Sequence, residues 1–186
     1  MAKYTTENIH AVALVGHGGA GKTTLAEALL WKAGVIGAMG STERGNTVGD
    51  SDPLEKQYGH SLASALVNFP YKGIHVHLVD TPGMPDFAGQ SIAALAAVDL
   101  AVIVINAQNG IELNTSRMMR SAARRGLDRM ILVNKIDAEN VDPKGSSSAS
   151  RTCSARSACR STSPRTATRT WWTASSIPTA TRISPR

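Results

Sequence analysis

The stretch GHGGAGKT, residues 16–23, constrains the possible folds of this chain more than any other feature of its sequence. It has the spacing G-x-x-x-x-G-K-T, and it lies between the short apolar run HAVALVG and the helix-like segment KTTLAEALLWKAG. Glycines let backbone N–H groups surround phosphate oxygens, and a helix N-terminus adds positive potential. The pattern therefore predicts a phosphate-binding loop between a buried parallel strand and a helix.

The side chains of this loop have predicted roles. Lys22 can reach the β- and γ-phosphates of a nucleotide, and Thr23 can offer its hydroxyl group to Mg²⁺. A glycine-rich loop with an incidental Lys-Thr pair is the alternative, which the strand–loop–helix context disfavours. The nucleotide-binding residues predicted here are Gly16, His17, Gly18, Gly19, Ala20, Gly21, Lys22, Thr23 and Thr24.

The chain up to residue 144 alternates strand-like runs with helix-length segments. HSLASALVNF and GIHVHLVD flank a hairpin turn predicted at PYKG, AVDLAVIVINA and DRMILVNKID are predicted strands, and TSRMMRSAARRG is a predicted helix. The order β-α-β-β-α-β-α-β predicts an α/β fold of the P-loop NTPase type, with a mostly parallel sheet and helices on both faces. Ligands in such folds bind beyond the carboxyl ends of the strands.

Two further motifs end predicted strands. In VDTPG, Asp80 can hold Mg²⁺ through water, and the Gly83 N–H can turn toward a γ-phosphate and act as a conformational sensor. In NKID, the Asp137 carboxylate can accept the N1–H and the exocyclic amino group of guanine, a donor pair that adenine lacks. Each motif alone could be a simple turn, but their order after a P-loop argues against chance.

These motifs give residues 9–144 a resemblance to the G domain of translational GTPases, especially elongation factor G and elongation-factor-G-like proteins. GHGGAGKTT, DTPGMPDF and VNKID carry the resemblance. It implies binding of GTP, GDP and Mg²⁺, and GTP hydrolysis coupled to ribosome action in an intact parent protein. It adds to the nucleotide-binding set Asp80, Thr81, Pro82, Gly83, Met84, Asn134, Lys135, Ile136 and Asp137. The N-terminal stretch MAKYTTENIH has no apolar signal core, which predicts a cytoplasmic location.

Two positions depart from the family pattern. Ser61 stands where the first switch of the family carries a threonine, and because serine keeps the hydroxyl group we expect it to bind Mg²⁺ together with Thr23 and Asp80. Met84 stands where the family carries the histidine that positions the attacking water. Together with Lys22 and Gly83 it forms the predicted catalytic group. A thioether cannot orient water strongly, so we expect slow hydrolysis unless His17 or His60 substitutes.

The chain changes character after Lys144. The formal net charge is +6, yet all 14 acidic residues and 13 of the 20 basic ones precede residue 145, which leaves 13 − 14 = −1 there and +7 after it. Residues 145–186 consist, except for two isoleucines, of the eight residue types whose codons have C or G in the middle position. This composition predicts a disordered, out-of-frame tail produced by a frameshift in a GC-rich gene, and a G domain (residues 1–144) that is truncated and incomplete at its C-terminus.

Two other functions fit parts of the sequence. The first is a GTP-binding regulatory module with weak hydrolysis, suggested by Met84. The second is a nucleic-acid-binding protein that uses its Arg/Ser tail, which the codon pattern makes the weaker hypothesis. No apolar run reaches membrane-spanning length, so we expect no membrane partner. Cys153 and Cys159 lack the spacing of zinc ligands, and His75 and His77 have no evident third ligand, so we expect no metal other than Mg²⁺.

Overall fold

The computed structural model describes residues 4–49 and 53–138. These residues form a five-stranded sheet in the order β2-β3-β1-β4-β5, in which β2 runs antiparallel to β3 and the other pairs are parallel. The prediction of a mostly parallel sheet is confirmed. The strands are β1 (Ile9–Gly16), β2 (Ala65–Tyr71), β3 (Ile74–Asp80), β4 (Leu100–Asn106) and β5 (Asp128–Asn134).

Helices cover both faces of this sheet, as predicted, because successive side chains of a strand point to opposite sides. In β1, Leu14 packs with Leu30 of the first helix, whereas Ala13 and Val15 pack with Met118 of the last helix. The helices are α1 (Lys22–Lys32), α2 (Pro53–Tyr58), α3 (Ala88–Ala94) and α4 (Leu113–Arg124), and short 3₁₀ turns span Thr6–Asn8, Thr42–Arg44 and Pro85–Phe87.

The β2–β3 hairpin turns slightly later than its sequence predicted. Lys72 and Gly73 form the two-residue loop, with φ angles of 48° and 84°, and positive φ at both positions is what a type I′ hairpin turn requires. Pro70 still pairs with His75. A proline fits there because β2 lies at the edge of the described sheet, and an edge strand has one side on which no backbone N–H is needed to pair with a neighbouring strand.

The predicted boundary at Lys144 and the Arg/Ser-rich tail lie outside the described residues. Within the part of the chain that is described, no helix is long and apolar enough to cross a membrane.

Candidate functional site

The three sequence motifs meet at one edge of the sheet. Leu14 pairs with Asp80, Gly16 with Val104, and Asn106 with Asn134, so β1, β3, β4 and β5 end side by side. This edge lies at the carboxyl ends of the parallel strands. Open α/β sheets bind their ligands there.

The loop after β1 wraps around the Lys22 side chain, which is buried. Its Nζ donates hydrogen bonds to the carbonyl oxygens of His17 (2.8 Å) and Gly16 (3.4 Å). Burial lowers the pKa of Lys22, and the nearby Asp80 carboxylate partly opposes that shift. The lysine therefore occupies the centre of the loop, where backbone carbonyl groups accept its hydrogen bonds.

The start of α1 depends on Gly21, whose φ of +90° directs the chain from the loop into the helix. Few residues other than glycine adopt this angle without strain. Thr23 follows in the first turn and Thr24 beside it is exposed, whereas Ala20 is fully buried beneath the loop. Gly19 is exposed at the tip of the loop.

Three oxygen-bearing side chains come together beside Lys22. Thr23 Oγ1 donates to Asp80 Oδ2 at 2.6 Å and lies 3.4 Å from Ser61 Oγ. The Asp80 side chain is buried. One carboxylate and two hydroxyl groups form a set of hard oxygen donors, so these residues fit Mg²⁺.

Two buried carboxylates hold the long segment between α1 and β2, which delivers Ser61 to this corner. Glu27 of α1 accepts the backbone N–H groups of Gly40 (2.9 Å) and Val48 (2.6 Å). Glu55 of α2 accepts those of Leu62 (2.8 Å) and Ala63 (3.1 Å), directly after Ser61.

The loop after β3 lies directly against the P-loop. A Cβ atom added at Gly83 would lie 2.5 Å from both Gly18 N and Lys22 Nζ, so only glycine allows this approach. Below it, Thr81 donates to the Leu14 carbonyl at 2.7 Å, and Ser91 of α3 donates to the Pro82 carbonyl at 2.8 Å. Side-chain hydroxyl groups thus fix the loop from two sides.

Met84 lies over the P-loop, with its sulfur next to Gly18 and its side chain partly exposed. The two histidines that could replace the family histidine have other contacts. His17 Nε2 lies 2.6 Å from Glu112 Oε1, and the centroid of the His60 ring lies 6.0 Å from that of Tyr58 and 6.4 Å from that of Phe87. His17 is therefore engaged by Glu112, whereas His60 makes only ring contacts and its Nδ1 has no hydrogen-bond partner among the described residues.

The short His17–Glu112 contact would by itself raise the pKa of His17. Burial outweighs it, and the positive charges of Lys22 and Lys135 act in the same direction as burial, so the pKa of His17 is lowered. A neutral imidazole that donates Nε2–H to Glu112 accounts for both observations. Asn109 also donates to Glu112, at 2.9 Å.

The NKID segment forms the far end of the site. Asn134 Nδ2 donates to the Ala20 carbonyl at 2.9 Å and so joins the end of β5 to the P-loop. Lys135 has a φ of +57°, which turns the chain outward. Lys135, Ile136 and Asp137 are exposed, and the Asp137 carboxylate is accessible to a ligand.

Sequence reasoning did not identify several residues that shape this site. Four of them hold backbone groups with their side chains, the fifth (Glu112) contacts the side chains of His17 and Asn109, and no local motif marks any of the five for these tasks. The only available signal was that each lies within a helix or at a helix N-cap, where a polar side chain that becomes buried needs a partner. These residues are Glu27, Glu55, Ser91, Glu112 and Asn114.

A comparison with protein families matches residues 7–161 to the elongation factor Tu GTP-binding domain. The chain is 41% identical over 129 residues to an elongation factor G-like protein of Mycobacterium tuberculosis, and this match covers 69% of this chain and 18% of that protein. It is 40% identical over 132 residues to an oxytetracycline resistance protein of Streptomyces rimosus, and this match covers 71% of this chain and 20% of that protein.

A mitochondrial ribosome-releasing factor 2 of Yarrowia lipolytica is 35% identical over 136 residues, or 73% of this chain and 17% of the relative. The chain therefore spans about a fifth of the length of these relatives. Among solved structures, a protein from Thermus thermophilus superposes with a TM-score of 0.74 at 38% identity, covering 77% of this chain and 22% of that one.

The resemblance expected from the three motifs is thus confirmed over the described part of the fold. The strand order of the sheet, the positions of the motif loops and the similarity to known proteins all indicate the same family. The chain belongs to the family of the elongation factor Tu GTP-binding domain, and it carries the G domain of a translational GTPase related to elongation factor G.

Proposed function

We propose that this G domain binds GTP and GDP together with Mg²⁺, and that the intact parent protein hydrolyses GTP in coupling with ribosome action. The observation that carries the proposal is the meeting of the three motifs around Lys22, with Thr23 and Asp80 in direct contact 2.6 Å apart. A helix N-terminus, a buried lysine and an oxygen-rich corner are the parts that phosphoryl-transfer sites use.

Phosphate binding requires that Lys22 exchange partners. Its Nζ donates to the carbonyls of Gly16 and His17; phosphate oxygens, which carry full negative charge, are stronger acceptors than neutral carbonyls. Thr23, Asp80 and Ser61 would hold Mg²⁺, which neutralises charge on the β- and γ-phosphates when it is bound.

Asp137 is the residue that would select the nucleotide base. Its exposed carboxylate can accept two hydrogen bonds from guanine, whereas adenine offers no matching donor pair. Asn134 supports this end of the site because it ties β5 to the P-loop. We therefore propose a preference for guanine over adenine nucleotides.

The ribosome is the proposed partner because one relative is named a ribosome-releasing factor and another an elongation factor G-like protein. Met84 leads us to propose slow intrinsic hydrolysis in this sequence. Its sulfur lies beside Gly18 of the P-loop, which supports a water-positioning role for residue 84, and a thioether is only a weak hydrogen-bond acceptor.

Nucleotide binding by the 186-residue chain tests the proposal. We expect GDP and a non-hydrolysable GTP analogue to bind, ATP to bind at least roughly tenfold more weakly, and chelation of Mg²⁺ to weaken binding. Asp137→Asn replaces an acceptor by a donor at the base, so it should weaken guanine binding and favour xanthine, which has a carbonyl where guanine has its amino group. Equal binding of GTP and ATP would refute the proposal.

A further inference from the structure

A buried asparagine joins the two loops that meet at Lys22. Asn114 lies in the first turn of α4, and its side chain is buried. Its Nδ2 donates to the Gly83 carbonyl at 2.9 Å and approaches the Gly16 carbonyl at 3.5 Å. One side-chain amide thus bridges the end of β1, the loop after β3 and the start of α4.

This bridge holds Gly83 directly against Lys22 and the P-loop. A Cβ atom at Gly83 would lie 2.5 Å from Lys22 Nζ, and Cα lies about 1.5 Å from Cβ, so Gly83 Cα is within about 4 Å of Nζ. A phosphate oxygen that bonds to the lysine and to the Gly83 N–H needs about 2.8 Å to each donor. Gly83 also contacts the backbone of His17 and Gly18, so a third phosphate placed between Gly83 and the P-loop would displace the loop.

The Asn114 Oδ1 atom is also buried, and it accepts no hydrogen bond from the described residues. The polar stabilisation that this amide provides comes from its donor side alone. If Gly83 moves away, the asparagine loses its shorter hydrogen bond and gives up no contact at Oδ1. The hydrogen bond to Gly83 therefore favours one of two positions of the loop.

We propose that Asn114 is a positioning residue that holds the Gly83 loop against the P-loop and so opposes the GTP-bound state. This inference rests on the proposed guanine-nucleotide binding. GDP has no γ-phosphate and leaves the bridge intact, whereas GTP must break it. Because the bridge stabilises only one of the two states, it lowers the affinity for GTP relative to GDP.

The test compares Asn114→Ala with the wild-type chain and with Arg120→Ala, which removes an exposed side chain from the same helix. Affinities for GDP and for a non-hydrolysable GTP analogue are measured in Mg²⁺. We expect Asn114→Ala to shift the ratio of affinities about fivefold toward the GTP analogue, the effect of one hydrogen bond of ordinary strength, and Arg120→Ala to leave it unchanged. Damage to the fold would weaken both ligands and would not favour one of them.

A second measurement needs no nucleotide. Amide hydrogen exchange of residues 80–87 in the ligand-free chain should be faster in Asn114→Ala than in wild type. Asn114→Asp, which keeps the shape but loses the donor, should do the same, and aspartate is well tolerated in the first turn of a helix.

The outcomes separate the two proposals. An unchanged ratio or a shift toward GDP would overturn the role of Asn114 while leaving nucleotide binding intact. If the wild-type chain binds neither nucleotide, the proposed function fails. Hydrogen exchange then decides whether Asn114 holds the loop: unchanged exchange of residues 80–87 in both variants would show that it does not.

Discussion

The packing of Gly83 on the P-loop makes Gly83→Ala the sharpest perturbation of this site. The added Cβ would lie 2.5 Å from Gly18 N and Lys22 Nζ and 2.6 Å from the His17 carbonyl carbon, against 3.4 Å for ordinary contact. The shortfall is 3.4 − 2.5 = 0.9 Å. Two of these atoms belong to the backbone, so a rotamer change in Lys22 alone cannot relieve the overlap.

The expected cost follows from that overlap. Gly83 has no positive φ, so alanine suits its backbone angle and the penalty comes from the contacts. Overpacking by one methyl group in a tightly packed place costs about 1–3 kcal/mol. For a chain of this size that free energy corresponds to a fall in melting temperature of roughly 2–12 °C. The measurement is thermal unfolding followed by circular dichroism without nucleotide.

Gly89→Ala is the matched control. Gly89 lies six residues further along, inside α3, and a Cβ atom there would meet nothing within 4 Å. Alanine is the better helix former by roughly 0.5–1 kcal/mol, so this variant should melt at or above the wild-type temperature. A Gly83→Ala chain that melts as high as wild type would contradict the close approach of Gly83 to the P-loop.

Three further perturbations follow from the same geometry. Met84→His should raise the GTP hydrolysis rate on the order of 10²-fold, because a water-positioning group is restored. Met130→His, at an exposed position of β5, is the control, and equal rates in the two variants would argue against the role of position 84. Burial lowers the pKa of His17 below 6.5, so the unfolded chain binds more protons, and stability should fall as pH drops from about 7 through 6.5 toward the folded pKa. His17→Gln should flatten this dependence in pH-resolved urea unfolding; an unchanged slope would assign it to other groups. Glu27→Gln should lower the free energy of unfolding by about 1–3 kcal/mol, since one of the two backbone N–H groups bound by this buried side chain loses a charged acceptor, whereas Glu43→Gln at an exposed site should have little effect.

The sequence predicted the parts of this molecule whose physics is local. A glycine-rich loop between an apolar strand and a helix predicts a phosphate site because backbone geometry and the helix dipole act within a few residues. The mostly parallel arrangement of the sheet followed from similar logic, since a β-α-β unit restricts how parallel strands can connect. The turn of the β2–β3 hairpin was displaced because Pro70 suggested a turn but lies on an edge strand that tolerates it.

The contacts that control the loops depend on long-range packing, and their sequence signals are correspondingly weak. Asn114 and Gly83 are 31 residues apart and meet only because β3 and α4 pack against the same strand, β1. Nothing in LNTSRMMR distinguishes that asparagine from a helix-start residue with an exposed side chain. The motifs thus identify what the site can bind. The residues that we infer set the balance between its nucleotide states become visible only when the fold brings Asn114 and Gly83 together.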